Sequence, residues 1–351
     1  MRSNFFEDFA LGQHFRHATP RTISEGDASL HIALTGARQP LPSSTPLAQA
    51  LGYAARPIDD VLLFNMAFGK TVPDISFNAV ANLGYADIRF LAPVYAGDTI
   101  RAESTIIGLR ETSAGDSGIV HVRSDAYNQN QQHVLTWARW VLVRKNRLDC
   151  VTSNSEAPDL PASVTADRLV APPLSTDLSA LTEATGSNRL WEDYTIGQRI
   201  DHSEGMTLDE SDHTLATKLY QNNSIVHFDA LVQAGTRHGR RLVYGGHVIS
   251  VCRALSYPGL ENILSILAIN GGSHRAPTFA GDTLYCYTEV LDIIEMPGRS
   301  DVGALRLRLV GLRNNPSAGF SDRIEIDGKR QFHPDVVLDL DYVALIPRRT
   351  A

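Results

Sequence analysis

The sequence is poor in the features that mark secreted, membrane-spanning and nucleic-acid-binding proteins. Its three cysteines are widely spaced and odd in number, which excludes the disulfide framework of small secreted proteins. Acidic residues outnumber basic ones, 39 to 32, so counterion release cannot supply affinity for nucleic acid. No run approaches the roughly 18 apolar residues of a membrane span, and acids stand where a signal peptide needs an apolar core. We therefore expect a cytoplasmic protein that binds neither nucleic acid nor membranes.

Motifs for phosphate, nucleotide and metal binding are also missing. The Gly-Lys-Thr sequence at 69–71 resembles the end of a P-loop, but Phe64 stands where that motif needs its first glycine. No Gly-x-Gly-x-x-Gly follows a strand, and His-Glu-x-x-His and Gly-x-Ser-x-Gly do not occur. His14 and His17 lack a third ligand at metal-site spacing. The sequence therefore predicts neither a metal nor a cofactor.

What the sequence does contain is an internal repeat. Residues 6–13 (FEDFALGQ) match residues 191–198 (WEDYTIGQ), and residues 92–99 (APVYAGDT) match residues 276–283 (APTFAGDT). Both pairs are separated by nearly the same number of residues, so most of each half belongs to the repeat. A chain of 351 residues has the length of two domains at roughly 150 residues each. The repeat thus predicts one domain in each half.

Each half has the same predicted order of helices and strands. Thr22 and Thr207 each begin a Thr-x-x-Glu capping box, so a helix should start at the same place in both halves. Apolar, β-branched runs separated by turn residues then predict strands. The fold class is therefore α+β with an antiparallel sheet. We assign residues 1–146 and 187–351 to the two repeats, and the segment 147–186, rich in Pro, Ser, Thr and Ala, to a linker.

Residues suited to chemistry concentrate in the second repeat. Asn222 and His227 lie five positions apart in a predicted loop after the capped helix. An imidazole with a hydrogen-bonding neighbour can hold and activate water near neutral pH. Farther on, Tyr244-Gly245-Gly246 enters a second helix, whose free N–H groups can hold an oxyanion or a thioester carbonyl. From the sequence alone, a histidine that is only packed in the core and glycines that only relieve crowding would give the same pattern.

Basic residues precede this helix. Arg237, His238, Arg240 and Arg241 form a cluster, and arginine is suited to carboxylates and phosphates, although such a cluster is also typical of a solvated loop. His247 lies in the first turn of the helix, where a histidine facing the cavity and a packed one look identical. The residues predicted to bind the substrate are Arg237, Arg240, Arg241, Tyr244, Gly246 and His247.

These motifs resemble the MaoC-like dehydratases, the hydratase-2 family of the hotdog superfamily. That family carries Gly-Asp-x-Asn-Pro-x-His after a helix, then a His-Gly turn that starts the central helix, then Ala-Pro-Val-x-x-Gly-Asp-Thr. The resemblance implies a double hotdog, with an antiparallel sheet wrapped around a central helix in each half, here near 60–69 and 246–257. It implies that the aspartate and histidine activate water for addition to a 2-enoyl-CoA, while the glycine N–H polarises the thioester carbonyl.

The second half keeps the histidine and the glycine of the family motif but departs from the motif at other positions. The family's histidine falls on His227 and its glycine on Gly245. Its aspartate falls on Asn222, and the histidine before the glycine falls on Tyr244. The resemblance therefore implies Asn222, His227 and Gly245 as the catalytic residues. Because Asn222 cannot accept a proton, His227 is the expected general base, and Asp229 is the carboxylate nearest to it in sequence.

The first half has lost both catalytic positions. They are occupied by Ala37 and Pro42, so one half should be catalytic while the degenerate half helps to form the acyl pocket, as in other double-hotdog hydratases. Residues 72–93, 220–229 and 239–250 resemble a narrower subgroup, the mesaconyl-CoA hydratases, in which asparagine also replaces the aspartate. This resemblance implies reversible hydration of mesaconyl-C1-CoA (2-methylfumaryl-CoA) to β-methylmalyl-CoA in carbon assimilation.

A charged substrate gives the asparagine a physical reason. In mesaconyl-C1-CoA the carbon that water attacks carries a free carboxylate, which an aspartate beside the water would repel. At 4 Å and an effective dielectric constant near 20, that repulsion is about 4 kcal/mol. A neutral amide avoids the repulsion and still hydrogen-bonds the water.

Two other functions fit a hotdog protein. Acyl-CoA thioesterases hold water against the thioester carbonyl, and a non-catalytic acyl-CoA-binding or scaffold protein would tolerate the lost motif and Asn222. All three functions take an acyl-CoA as the partner and need no cofactor. Hotdog proteins usually associate through their sheets, so we also expect a homo-oligomer.

Overall fold

The computed structural model describes residues 4–150, 157–175 and 178–349. The first half begins with a 3-10 helix and ends with four long strands. Its elements are β1 (His14–Arg16), β2 (Arg21–Thr22), α1 (Glu25–Thr35), α2 (Pro40–Ser43), α3 (Thr45–Ala50), α4 (Asp60–Thr71), β3 (Ala79–Phe90), β4 (Thr99–Glu111), β5 (Ser117–Tyr127) and β6 (His133–Arg144). A π-helical turn, Val72–Ser76, directly follows α4.

The second half repeats this order after the connecting helix α5 (Ser179–Thr185). Its elements are β7 (Arg199–Thr207), α6 (Glu210–Leu219), α7 (Ile225–Phe228), α8 (Ala230–Ala234), α9 (Gly245–Leu255), β8 (Ser265–His274), β9 (Thr283–Glu295), β10 (Val302–Arg313), β11 (Arg323–Ile326), β12 (Lys329–Phe332) and β13 (Val336–Pro347). Helices α4 and α9 correspond to the central helices expected near 60–69 and 246–257. No helix in the described ranges is both long and apolar enough to cross a membrane.

The sheets of the two halves join edge to edge. The strand order is β1-β4-β5-β6-β3-β8-β13-β10-β9-β7, with antiparallel pairing throughout. Strands β3 and β8 form the junction, where Tyr85 pairs with Gly272 and Arg89 with Ala268. Helix α4 packs against β4, and α9 packs against β9 and β10 of this sheet, so the α+β double hotdog is confirmed. Because the junction is continuous backbone pairing, residues of the first half are brought beside those of the second.

The two central helices are packed closely against each other near the start of α9. Asn65 of α4 donates from Nδ2 to the carbonyl of Gly246 and to the hydroxyl of Ser250, both at 3.1 Å. A Cβ at position 246 would lie 2.0 Å from Asn65 Oδ1, so only glycine permits this approach. The first turn of α9 is thereby held against the other half of the molecule.

Helices α1 and α6 start at equivalent positions, as predicted, but the predicted capping boxes are wrong. Thr22 and Thr207 are the last residues of β2 and β7, and each hydroxyl hydrogen-bonds across to the first threonine of the neighbouring strand at 2.7 Å. Ser24 caps α1 instead and exchanges hydrogen bonds with Asp27. Helix α6 follows Asp209 without a side-chain cap. Strand pairing therefore takes the hydroxyls that the local pattern assigned to the helices.

Parts of the predicted linker pack against both halves of the chain. Residues 151–156 and 176–177 lie outside the described residues. Leu181 of α5 is fully buried in a cluster with residues of both halves. The backbone N–H of Val164 donates to Asn270 Oδ1 at 2.8 Å. These contacts hold the segment against the two halves.

Candidate active site

A cavity of about 340 Å³ lies where the start of α9 meets the sheet of the first half. Its wall combines residues of both halves. From the predicted site it contains Asn222, His227, Arg237, Tyr244 and Gly245. The structure therefore brings together all three residues predicted to be catalytic.

His227 is held with one ring nitrogen available to the cavity. Its Nδ1 lies 2.9 Å from the carbonyl oxygen of Leu242, and a carbonyl only accepts, so Nδ1 carries the proton and Nε2 keeps a free lone pair. Burial, aided by the neighbouring His213 and His274 and opposed by the hydrogen bond to Leu242, lowers the pKa of His227 to about 4. The imidazole is therefore neutral at pH 7 and can accept a proton from water.

Among the residues that the structure describes, no carboxylate is hydrogen-bonded to this histidine. Asp229, the nearest in sequence, accepts a hydrogen bond from the N–H of Val232 at 3.0 Å and caps α8. The Leu242 carbonyl takes the orienting role instead. A neutral acceptor fixes the tautomer and stabilises the protonated imidazole less than a carboxylate would.

Asn222 is buried and its amide is oriented by the backbone. Its side chain is 2% exposed, and Oδ1 accepts a hydrogen bond from the N–H of Ser224 at 3.2 Å. This bond assigns the oxygen, so the NH₂ group is left to donate. Asn222 can therefore donate to the oxygen of a water molecule whose proton His227 accepts.

Gly245 is the first residue of α9, so its N–H has no acceptor within the helix. A Cβ at this position would lie 2.3 Å from Nε2 of His274. The absence of a side chain leaves the N–H group accessible from the cavity, in the helix-start position that favours a developing negative charge. The geometry suits a thioester oxygen that becomes enolate-like during reaction.

Tyr244, which replaces the family's histidine, is the part of the cavity wall that lies between His227 of the second half and Phe68 of the first half. Its ring lies 5.4 Å from that of His227 and 5.9 Å from that of Phe68, measured between centroids. Burial raises the pKa of its hydroxyl well above the usual value. The hydroxyl therefore stays neutral. It interacts with the Asn222 side chain, and its place in the cavity wall lets it hydrogen-bond a ligand as well.

Four residues predicted to bind substrate lie outside the cavity wall. Arg240 stacks on the ring of Phe279 at 4.0 Å, and Arg241 pairs with Glu210. His247 is fully buried, with its pKa lowered to about 3 by burial. The fourth, Gly246, is packed against Asn65 of α4. Arg237 does line the cavity, where its Nε donates to His238 at 2.9 Å.

His274, Tyr85 and Arg139 are among the residues of the cavity wall that were not predicted from the sequence. His274 ends β8 with its ring 6.0 Å from that of Tyr85, and Arg139 lies opposite Tyr85 in the pairing of β6 with β3. All three are in strands, and the local sequence does not show which strand residues face the cavity. In the parts of the chain that the structure describes, no three His, Cys, Asp or Glu residues are grouped as metal ligands.

Comparison with known proteins agrees with this geometry. A profile of the mesaconyl-CoA hydratase family matches residues 1–325. The chain is 50% identical to the β-methylmalyl-CoA dehydratase of Chloroflexus aurantiacus over 346 residues, covering 99% of this chain and 97% of that protein. It is 51% identical to the mesaconyl-CoA hydratase of Cereibacter sphaeroides over 347 residues, covering 98% of each.

Solved structures show the same architecture. A MaoC domain protein dehydratase from Chloroflexus aurantiacus superposes with a TM-score of 0.95 at 50% identity, covering 99% of this chain and 98% of that one. A double-hotdog protein from Mycobacterium tuberculosis superposes with a TM-score of 0.79 at 25% identity, covering 98% of each chain. The likeness therefore extends over both halves.

Proposed function

Because the chain belongs to the mesaconyl-CoA hydratase family, we propose that it is a hydro-lyase that reversibly adds water to mesaconyl-C1-CoA to form β-methylmalyl-CoA. The observation that carries this proposal is a single cavity wall that contains a neutral imidazole with a free Nε2 and the first N–H of a helix. The first can remove a proton from water, and the second can stabilise charge on a thioester oxygen.

The reaction follows from these two groups. Asn222 donates a hydrogen bond to the water oxygen, and Nε2 of His227 accepts a proton as that oxygen bonds to the carbon bearing the carboxylate. The π electrons of the double bond move toward the thioester, whose oxygen accepts from the N–H of Gly245. The histidine then returns a proton to the carbon next to the thioester. Water is added overall, and the imidazole is neutral again.

An assay with two substrates tests this function. Mesaconyl-C1-CoA should lose its enoyl absorbance while CoA remains esterified, and it should react faster than crotonyl-CoA. Release of free thiol would instead identify an acyl-CoA thioesterase. If neither substrate reacts, the chain is not an enzyme of this class, and the result would support a non-catalytic role in acyl-CoA binding.

Asn222→Asp should reverse the substrate preference. The new carboxylate would face the substrate carboxylate, so hydration of mesaconyl-C1-CoA should fall relative to that of crotonyl-CoA. After screening by solvent and nearby arginines, a repulsion of about 1–2 kcal/mol corresponds to about tenfold in relative kcat/KM. Hydration of uncharged crotonyl-CoA should be preserved or improved.

Gln221→Glu is the matched control for this variant. It adds the same charge one residue away, where Gln221 accepts from Lys70 at 3.0 Å and lies outside the cavity wall. The control should keep the original preference. Equal losses or equal gains on both substrates in Asn222→Asp would show that Asn222 does not respond to substrate charge.

Four further properties stay predictions. Hotdog sheets commonly associate, which favours a homo-oligomer, and size-exclusion chromatography with light scattering would measure it. The cytoplasmic location, the role in carbon assimilation and the lack of a cofactor likewise rest on the sequence and on the family chemistry, in which water is the co-substrate.

A further inference from the structure

A buried guanidinium from the degenerate half lines the cavity. Arg139 of β6 is 1% exposed. Its Nη2 donates to the hydroxyl of Thr71 at 2.8 Å, and its Nη1 donates to that of Ser76 at 3.3 Å. The guanidinium also lies over the ring of Phe68, 4.2 Å from the centroid. Neutral groups therefore hold the guanidinium in place.

No anionic side chain in the described part of the chain pairs with this cation. Within the described residues, Arg139 forms no salt bridge, and its Nε has no hydrogen-bond partner. Asp74, which lies in the same π-helical turn as Ser76, pairs with His17 at 2.7 Å. Burial lowers the pKa of Arg139 only to about 10, so the group is charged at pH 7. A buried, unpaired charge is strongly destabilising unless a ligand completes the pair.

The local backbone presents this side chain to the cavity. Thr71 ends α4 and Ser76 ends the π-helical turn that follows; such turns are frequent at functional sites. Their two hydroxyls restrain one side of the guanidinium. Arg139, Ser76 and the proposed catalytic residues all line the same cavity. A planar cation restrained in this way is suited to a carboxylate, which accepts two parallel hydrogen bonds from it.

We propose that Arg139, oriented by Thr71 and Ser76, is a carboxylate-binding subsite that selects acyl-CoA substrates with a free carboxylate at the far end of a four-carbon chain. This inference rests on the proposed function and identifies the residue that reads the substrate's charge. The catalytic half thus supplies the chemistry and the degenerate half supplies the counterion. It also gives that half a reason to keep a buried arginine after losing its own catalytic pair.

Binding of unreactive ligands tests the subsite separately from catalysis. Succinyl-CoA and butyryl-CoA have acyl chains of the same length, and only the first carries a carboxylate. Calorimetry of the full chain should show succinyl-CoA binding about ten- to a hundredfold more tightly, as expected for hydrogen bonds between charged groups. Arg139→Met should abolish this preference, and Arg139→Lys should reduce it at least about fivefold because lysine lacks the planar pair of donors.

Arg253→Lys is the matched control. Arg253 of α9 is also buried, at 5% exposure, and donates to Ser256, but it does not line the cavity. The Arg253→Lys variant should keep the preference for succinyl-CoA. The inference is overturned if the unmodified chain lacks that preference, or if Arg139→Met retains it. If Arg139→Met does not fold by circular dichroism, an unchanged preference in Arg139→Lys overturns the inference as well.

The two proposals fail in different ways. If the chain prefers succinyl-CoA through Arg139 but hydrates neither enoyl-CoA, the subsite is supported and the hydratase function is overturned. If the chain hydrates mesaconyl-C1-CoA without that preference, the function is supported and the subsite is overturned.

Discussion

Replacing His227 with alanine is expected to reduce kcat by about a hundredfold to ten-thousandfold, the usual contribution of a positioned acid–base group. The Leu242 carbonyl holds Nδ1 of this imidazole and leaves Nε2 available to the cavity. Asn222 cannot replace it because an amide does not accept a proton at neutral pH. Steady-state hydration of mesaconyl-C1-CoA measures the loss.

Pro42→Ala is the control, because Pro42 occupies the equivalent position in the first half. It lines a separate cavity and should leave kcat within a few-fold of the original value. Near-normal turnover in a folded His227→Ala variant would remove this histidine from the mechanism.

The pH dependence of kcat/KM provides a second test of His227. Because burial lowers its pKa to about 4, the neutral, proton-accepting form persists well below the ordinary histidine range near 6.5. The acid limb should therefore lie near pH 4 to 5, and circular dichroism at each pH should confirm that the chain is folded. An inflection near 6.5 would mean that another group titrates.

Gly245→Val is expected to abolish measurable turnover while leaving the fold intact. The new Cβ would lie 2.3 Å from His274 Nε2, so the start of α9 must shift and carry the N–H away from the thioester oxygen. Loss of one such donor costs about 3–4 kcal/mol in the chemical step. Steady-state kinetics and thermal melting measure the two effects separately.

Gly271→Ala is the matched glycine control. Its new Cβ would meet only the carbonyl oxygen of Tyr85 at 3.7 Å, an ordinary contact, so activity should persist. Normal activity in Gly245→Val would contradict the oxyanion role. Loss of the cooperative melting transition together with activity would indicate instead that Gly245 serves packing.

Much of the catalytic half could be predicted because its signals are local. Asn222 and His227 are separated by one loop, and Gly245 lies at a helix start marked by the glycine pair and its amphipathic continuation. Short chain separation and helix geometry bring these groups together with little dependence on distant residues. The internal repeat likewise predicted two helix starts at equivalent positions.

Two pairs of residues show what local patterns do not specify. Thr22 and Thr207 fit a capping pattern, but their hydroxyls bond across strands. Arg240 and Arg241 are adjacent to the site in sequence, but Arg240 stacks on Phe279 and Arg241 pairs with Glu210, outside the cavity wall. In each case the partner is distant in sequence, so a local pattern does not identify it.

The sequence by itself determined the duplication, the α+β class and the identity of the proposed acid–base and oxyanion groups, because repeats, periodicity and helix starts are recorded over short stretches. Only the tertiary structure decided that Arg139, Tyr85 and His274 share a cavity with them. Long buried runs in their strands do not show which residues face the cavity, and which face meets the second half depends on the register of β3 against β8. Because that pairing joins residues about half the chain apart, no local pattern specifies the charge that the cavity presents to its substrate.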